Sequence, residues 1–215
     1  MPCKELPKEI CRTCPFGLSD LSLYTAKVLR FCTQEWIYQQ GDTVTGIYCL
    51  CRGQVRLVCW TPQGRRQLLG YLRSGSLLGI EALSGVTQHL YGAQAIEMTF
   101  VRLILREELD KVINSSAVRQ LLQYLSYSLL EREQSLTRIL ARPSSERIML
   151  TLEYLSQCNI NRVTLDDLAA LSGVRKETVC RKLQPLQKRG LILHKYRNLQ
   201  ILDLQSFKSL LQSIR

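Results

Sequence analysis

Several things are scarce in this 215-residue chain, and each scarcity removes a class of protein. No segment approaches about 18 uncharged apolar residues, so a transmembrane helix and membrane residence are excluded. The opening residues MPCKELPKEICRTCPFG hold no apolar stretch of the kind a secretory leader needs, and none is expected. Histidine occurs twice, at His89 and His194, which gives haem ligation little support and leaves surface positions as the default. A nucleophile–base pair, a phosphate-cradling glycine loop and a His/carboxylate metal set are all missing, so an enzyme is not expected. Acidic residues are few: 18 Asp+Glu face 29 Lys+Arg, a formal charge of +11 with an isoelectric point near 9.4. An excess of that size points to a polyanionic partner. Cysteine, in contrast, is abundant, with nine residues. The odd count and the chain length argue against a secreted disulfide scaffold. Reduced thiols in the cytoplasm are expected, some of them open to metal or oxidants.

The length is about 1.4 times a typical domain of roughly 150 residues, and three stretches read differently. Residues 1–106 hold β-rich runs, WIYQ, GIYCLC-RG-QVRLVCW, RQLLGYL and FVRLIL, punctuated by turn signals that predict an antiparallel sandwich or barrel. Residues 107–141 lack Gly and Pro, and Val118, Leu122, Leu125, Leu129, Leu136 and Ile139 follow heptad spacing, with Arg132 in the remaining slot. Two readings stand: a dimer seam carrying one charge, favoured because two outer faces stay polar, or a helix packed on its own β domain. Pro143-Ser144-Ser145-Glu146 then restarts a helix and marks a boundary. Residues 142–215 predict helices over 145–158, 165–171 and 176–188, a hairpin LILHKY-RN-LQILDL and a terminal amphipathic helix. This last stretch holds 13 Lys+Arg against 6 Asp+Glu, seven of the eleven net charges. The polyanion therefore belongs to this end.

Within it, VTLDDLAALSGVRKETVCRKLQPLQKRGLI carries the sharpest signal. Thr164 and Asp167 are spaced as a capping box. Gly173 permits a tight turn, Val174 anchors the second helix, and Val179, Leu183 and Leu186 face inward. That leaves Arg175, Lys176, Glu177, Cys180, Arg181 and Lys182 on the start and outer side of the same helix. Arg reads guanine through two acceptors, and a carboxylate accepts from the cytosine amino group. Glu177 and Arg181, four apart, reach one strip of a groove; the plainer alternative is an i,i+4 ion pair on a solvated helix.

These residues, GVRKETVCR, resemble the recognition helix of the CRP/FNR family, the winged-helix regulators typified by the cyclic-AMP receptor protein and the fumarate-and-nitrate-reduction regulator. The resemblance spans nearly the whole chain. It implies an α+β fold: an N-terminal antiparallel β-roll (a cupin-like jelly roll), a long dimerisation helix and a C-terminal winged helix-turn-helix. It also implies a homodimeric transcription regulator on double-stranded DNA, with a two-fold symmetric site of TGA-type half-sites read by Glu177 and Arg181. Lys176 and Cys180 complete the base-reading set. Arg175, Lys182, Lys188, Arg189 and Lys195 are expected on phosphates, which position without specifying. The turn over 61–66 is a candidate RNA polymerase contact.

The family's roll often binds a cyclic nucleotide through a Gly-Glu pair and a later Arg. Here the stretch reads GSLLGIEALSGVTQHLYGAQA: Glu81 does not directly follow Gly79, and His89-Leu90 replace the phosphate-binding Arg. No cyclic nucleotide is expected, and GIEALSG is closer to the oxygen-sensing branch. That branch implies an iron–sulfur cluster, expected as [4Fe–4S], on an N-terminal cysteine array. Cys3, Cys11 and Cys14 form a C-x7-C-x2-C array, and thiolates suit such a cluster. A disulfide or thiol switch, zinc and no function are the alternatives. The family's distant cysteine position is Arg102 here, so a fourth ligand must come from elsewhere. With Arg52-Gly53 as a hairpin turn, alternation puts Tyr48, Leu50, Val55 and Leu57 on the core face and Cys49 and Cys51 outward, where an N-terminal arm could lie. Cys49 or Cys51 is the expected donor, with Cys32 competing. Cys59 is expected on the core face. In the same branch a charge at the seam weakens association, a role that would fall on Arg132.

Overall fold

The computed structural model describes residues 27–64, 66–109, 115–139, 142–160, 163–195, 198–203, 205–207 and 209–210. Cys3, Cys11 and Cys14 lie outside the described residues. The chain divides into two compact units, 1–129 and 130–215, with the division inside the long helix.

The first unit is a jelly roll of two four-stranded antiparallel sheets. One has β1 (Lys27–Phe31), β8 (Thr99–Leu105), β3 (Gly46–Arg52) and β6 (Leu77–Leu78) in that order; the other has β2 (Trp36–Tyr38), β7 (Gly92–Ala95), β4 (Gln54–Trp60) and β5 (Arg66–Arg73). The expected α+β class and roll are present. The expected hairpin between β3 and β4 is not: these strands belong to opposite sheets, and the chain crosses from one to the other at Gly53. Gly53 has φ +99°, and a Cβ there would sit 2.5 Å from Thr99 Oγ1 and 2.8 Å from the Met98 carbonyl. Only glycine turns the corner so close to β8.

The alternation along β3 nevertheless holds. Tyr48 and Leu50 point into the roll with Val55, Leu57, Leu78 and Val101. Cys49 points the other way, but that face is covered: Val44, Ile47, Leu77, Ala82, Ile104, Leu109 and Leu121 form a second apolar cluster around it. Cys49 and Cys51 are 3% and 6% exposed, which corrects the expectation that they face outward. Of the residues on β3, covered on both faces, only Arg52 at its end is exposed. On β4 the pairing with β5 shifts between Leu57 and Val58. Val58 takes the core position and Cys59 is left half-buried, against expectation. The extra residue of the bulge, Leu69, lies on β5, and β4 keeps its register with β7 through Val58.

Helix α1 (Ser115–Ile139) packs one face on the roll, the second of the two expected readings, and leaves another apolar face exposed. Leu121 is buried in the second cluster, Tyr124 and Leu125 pack beside it, and Tyr124 Oη accepts from the Leu77 N–H at 2.8 Å. About 90° around the helix, Leu122, Leu129 and Leu136 are 59%, 58% and 61% exposed, and Val118 and Arg132 are exposed with them. Leu125, at the border between the faces, belongs to the roll. The side chain of Ile139 is outside the description.

The second unit holds α2 (Ser144–Gln157), α3 (Leu165–Ser172), α4 (Lys176–Lys188) and the hairpin β9 (Ile192–Lys195) and β10 (Asn198–Ile201). Asn198 pairs with Lys195, so it is a strand residue rather than a turn residue as expected. Among the described residues, no helix is long and apolar enough to cross a membrane.

Candidate functional site

The helix-turn-helix is built by local chemistry. Thr164 Oγ1 accepts from the Asp167 N–H at 3.0 Å, and the Asp167 carboxylate accepts from the Thr164 N–H at 3.3 Å, so the capping box closes in both directions. Asp167 is buried, and this exchange helps to satisfy its carboxylate. Gly173 ends α3 with φ 60° and ψ 33°, a left-handed cap that redirects the chain within two residues. Arg147, on α2, donates from Nη1 to the Gly173 carbonyl at 3.1 Å and ties that turn to the preceding helix. The sequence offered no cue for this contact, because the two residues are 26 apart.

Helix α4 then buries Val179, Leu183 and Leu186 against the rest of the unit. Packing one stripe fixes the rotation of the whole helix, so Lys176, Glu177, Cys180, Arg181 and Lys182 are all exposed, with Arg175 at the N-cap position. Lys188, Arg189 at the C-terminus of α4 and Lys195 on the wing are exposed too. Lys176 is engaged: its ammonium lies 2.9 Å from the Asp166 carboxylate. The hydrogen bond to Asp166, and then its charge, hold the Lys176 pKa above its ordinary value. On the wing, burial pushes the His194 pKa down.

In the roll, Cys49 is the direct cross-strand partner of Arg102 on β8 and of Leu77 on β6. Residues directly opposite on neighbouring antiparallel strands share a face. The thiol of Cys49 therefore stands one strand away from Arg102, on the same side of the sheet. Cys51 donates weakly to the Cys49 carbonyl at 3.5 Å. Cys32 is exposed at the turn after β1, its N–H bonded to Glu35 Oε2 at 2.7 Å. Among the described residues, no three His, Cys, Asp or Glu side chains gather as a metal site.

His89 is not at the surface, as its type led us to expect. It is 2% exposed, its Nδ1 3.1 Å from Glu81 Oε1 and its ring stacked on Tyr38 at 3.6 Å. The pair occupies the interior of the roll, where Tyr38 Oη accepts from the Gly79 N–H at 3.2 Å. The seven residues between Glu81 and His89 concealed it.

A roll, a long helix with an exposed apolar seam and a winged helix-turn-helix with a cationic reading face define a DNA-binding transcription regulator. Residues 28–116 match the cyclic nucleotide-binding domain, and residues 145–210 match the Crp-like helix-turn-helix domain. The transcriptional regulator SdrP of Thermus thermophilus is 31% identical over 175 residues, 77% of this chain and 84% of that protein. The transcriptional activator protein FnrA of Stutzerimonas stutzeri is 28% identical over 183 residues, 79% of this chain and 74% of that one. The solved structure of a CRP/FNR-family transcriptional regulator from Thermus thermophilus superposes with a TM-score of 0.73 at 26% identity, over 88% of this chain and 100% of that one. The chain belongs to the CRP/FNR family.

Proposed function

We propose that this regulator binds, as a homodimer, a two-fold symmetric DNA site with TGA-type half-sites, and that its cysteine-rich end makes binding responsive to oxygen or redox state. The single observation that supports the DNA reading best is the outward face of α4, where Glu177, Cys180 and Arg181 stand exposed on a helix whose other side is locked by Val179, Leu183 and Leu186. In this reading Arg181 donates to guanine and Glu177 accepts from cytosine, while Arg175, Lys182, Lys188, Arg189 and Lys195 neutralise phosphates. The exposed seam of Val118, Leu122, Leu129 and Leu136 meets its copy, and Arg132 sets two like charges near each other there. The exposed turn at Pro62, Gln63 and Gly64 is the proposed RNA polymerase contact, and the site of action is the cytoplasm.

For the sensor, Cys3, Cys11 and Cys14 with Cys49 are the proposed ligands of a [4Fe–4S] cluster. The donor chemistry fits: four thiolates, one of them supplied by the strand beside Arg102. Bound there, such a cluster would supply oxygen-labile redox chemistry to the cysteine-rich end. Cys49 lies 3% exposed in the apolar cluster that Leu121 of α1 helps to form, so it would have to be uncovered to reach such a group, and the exposed Cys32 competes for its place. The roll is not proposed to take a cyclic nucleotide, since Glu81 does not directly follow Gly79 and His89-Leu90 replace the arginine that the family uses for the phosphate. The second reading, a thiol switch, is favoured by the exposure of Cys32.

A footprint on symmetric DNA tests the first part: protection of two half-sites about one helical turn apart is expected, and uniform salt-sensitive binding to any duplex would sink it. Anaerobic purification tests the second. Iron and acid-labile sulfide in the native protein, lost in Cys49→Ala, are expected; protein without iron after anaerobic reconstitution would leave the thiol switch.

A further inference from the structure

The cations around the reading motif are not all held alike. Arg142 is paired with the buried carboxylate of Glu146, and Lys176 with Asp166 at 2.9 Å. Arg147 has no such partner. Its Nη1 donates to the Gly173 carbonyl at 3.1 Å, its Nε is buried and unpartnered, and no carboxylate pairs with it among the described residues. A guanidinium is always charged and carries five N–H donors. Half-buried and bonded to one neutral carbonyl, this one leaves most of its donors and its whole charge unanswered.

The place of Gly173 in the fold identifies the anion that would answer it. The glycine ends α3, and two residues later Arg175 is the N-cap of α4. A recognition helix enters the major groove by its N-terminal residues. The groove is about 12 Å wide and a helix with its side chains about 10–12 Å across, so phosphates line the entry closely. A side chain bonded to the turn just before α4 therefore stands at the phosphate ridge.

We propose that Arg147 is a further DNA-contact residue, held by the Gly173 carbonyl so that its remaining Nη donors bind a backbone phosphate beside the entry of α4. The proposal rests on α4 lying in the major groove. The carbonyl fixes the planar fork before DNA arrives, so little side-chain freedom is lost on contact. Such a contact positions the unit and favours no sequence.

The test is a salt titration of full-length protein on its footprinted site and on a random duplex. Arg147→Gln should weaken both alike, by about ten-fold, and lower the logarithmic salt dependence by about 0.9 per protomer. Arg147→Lys keeps the charge and should keep the salt dependence. A residue that only shapes the turn behaves otherwise: affinity falls on the target alone and the salt dependence is unchanged. That result, or no loss on either duplex, would overturn the proposal. If Arg147→Gln is too unstable to assay, Arg147→Lys decides, in a scan of the site with one neutral methylphosphonate at a time. The phosphate that meets Arg147 should then matter less to the lysine variant than to the native protein, and identical profiles would refute the contact. Arg181→Ala separates the two levels. Loss of discrimination there, beside an unchanged salt dependence in Arg147→Gln, refutes the Arg147 contact alone; retained discrimination refutes base reading by α4.

Discussion

Helix α4 and strand β3 both carry their chemically active side chains at short, regular spacing, and they treat them in opposite ways. Helix α4 packs one stripe and leaves Glu177, Cys180 and Arg181 in solvent. Strand β3 is covered on both sides, by the roll interior and by the cluster that includes Leu121, so Cys49 and Cys51 are enclosed. The first arrangement suits a surface that meets a macromolecule directly. The second suits a group whose state is transmitted through packing, since a closely packed interior passes on small changes.

The largest expected effect breaks the packed side of α4. Leu183 is 1% exposed, and Leu183→Ala should cost about 2–5 kcal/mol of stability; thermal unfolding checks this, and DNA binding should fall with it. Arg181→Ala touches only the exposed side. It should cost about 1–3 kcal/mol in target affinity with the melting temperature unchanged, as DNA titration beside calorimetry would show; a fall in melting temperature would mean the two sides of α4 are not separable. At the seam, Arg132→Leu should tighten self-association by about 1–2 kcal/mol, roughly ten-fold, and make DNA binding less dependent on the sensor. Unchanged sedimentation would count against a dimer seam there.

Smaller effects sharpen the contrast between the cysteines. Cys49→Ala should lose about 1 kcal/mol through a small cavity, whereas Cys180→Ala, on the exposed face, should leave stability unchanged; equal effects in chemical denaturation would contradict the burial difference. The smallest concerns pH. Burial lowers the His194 pKa, so the unfolded chain binds its proton more readily than the folded one. The stability from neutral His194 is complete above its ordinary value near about 6.5 and is lost as pH falls through the lowered folded value. His194→Gln should flatten that part of the stability–pH curve.

Much of the second unit was legible because its determinants are local. The capping pair Thr164 and Asp167 is three residues apart, Gly173 closes its own turn, and the stripe on α4 repeats with the helix. What went unread there, Arg147 on Gly173 and Asp166 on Lys176, spans loops and helices that spacing does not measure. In the roll, alternation was read correctly, and misled at Cys49, Cys51 and Cys59. Period two says which face a residue takes and is silent on what covers that face. His89 was misjudged for the same reason, since its partner Glu81 reaches it through the fold.

Taken alone, the sequence determined the β-rich first part and helical second part, the helix-turn-helix with its capping box, the heptad spacing of the long helix and the concentration of basic charge at one end, because each is written in composition or in short periodic spacing. Only the tertiary structure decided that β3 and β4 belong to opposite sheets, that the outer face of β3 lies under the root of α1, that Cys49 stands beside Arg102, and that the Asp166 carboxylate meets Lys176. These depend on which distant surfaces meet, and burial, pairing and charge compensation are properties of that meeting rather than of the chain order.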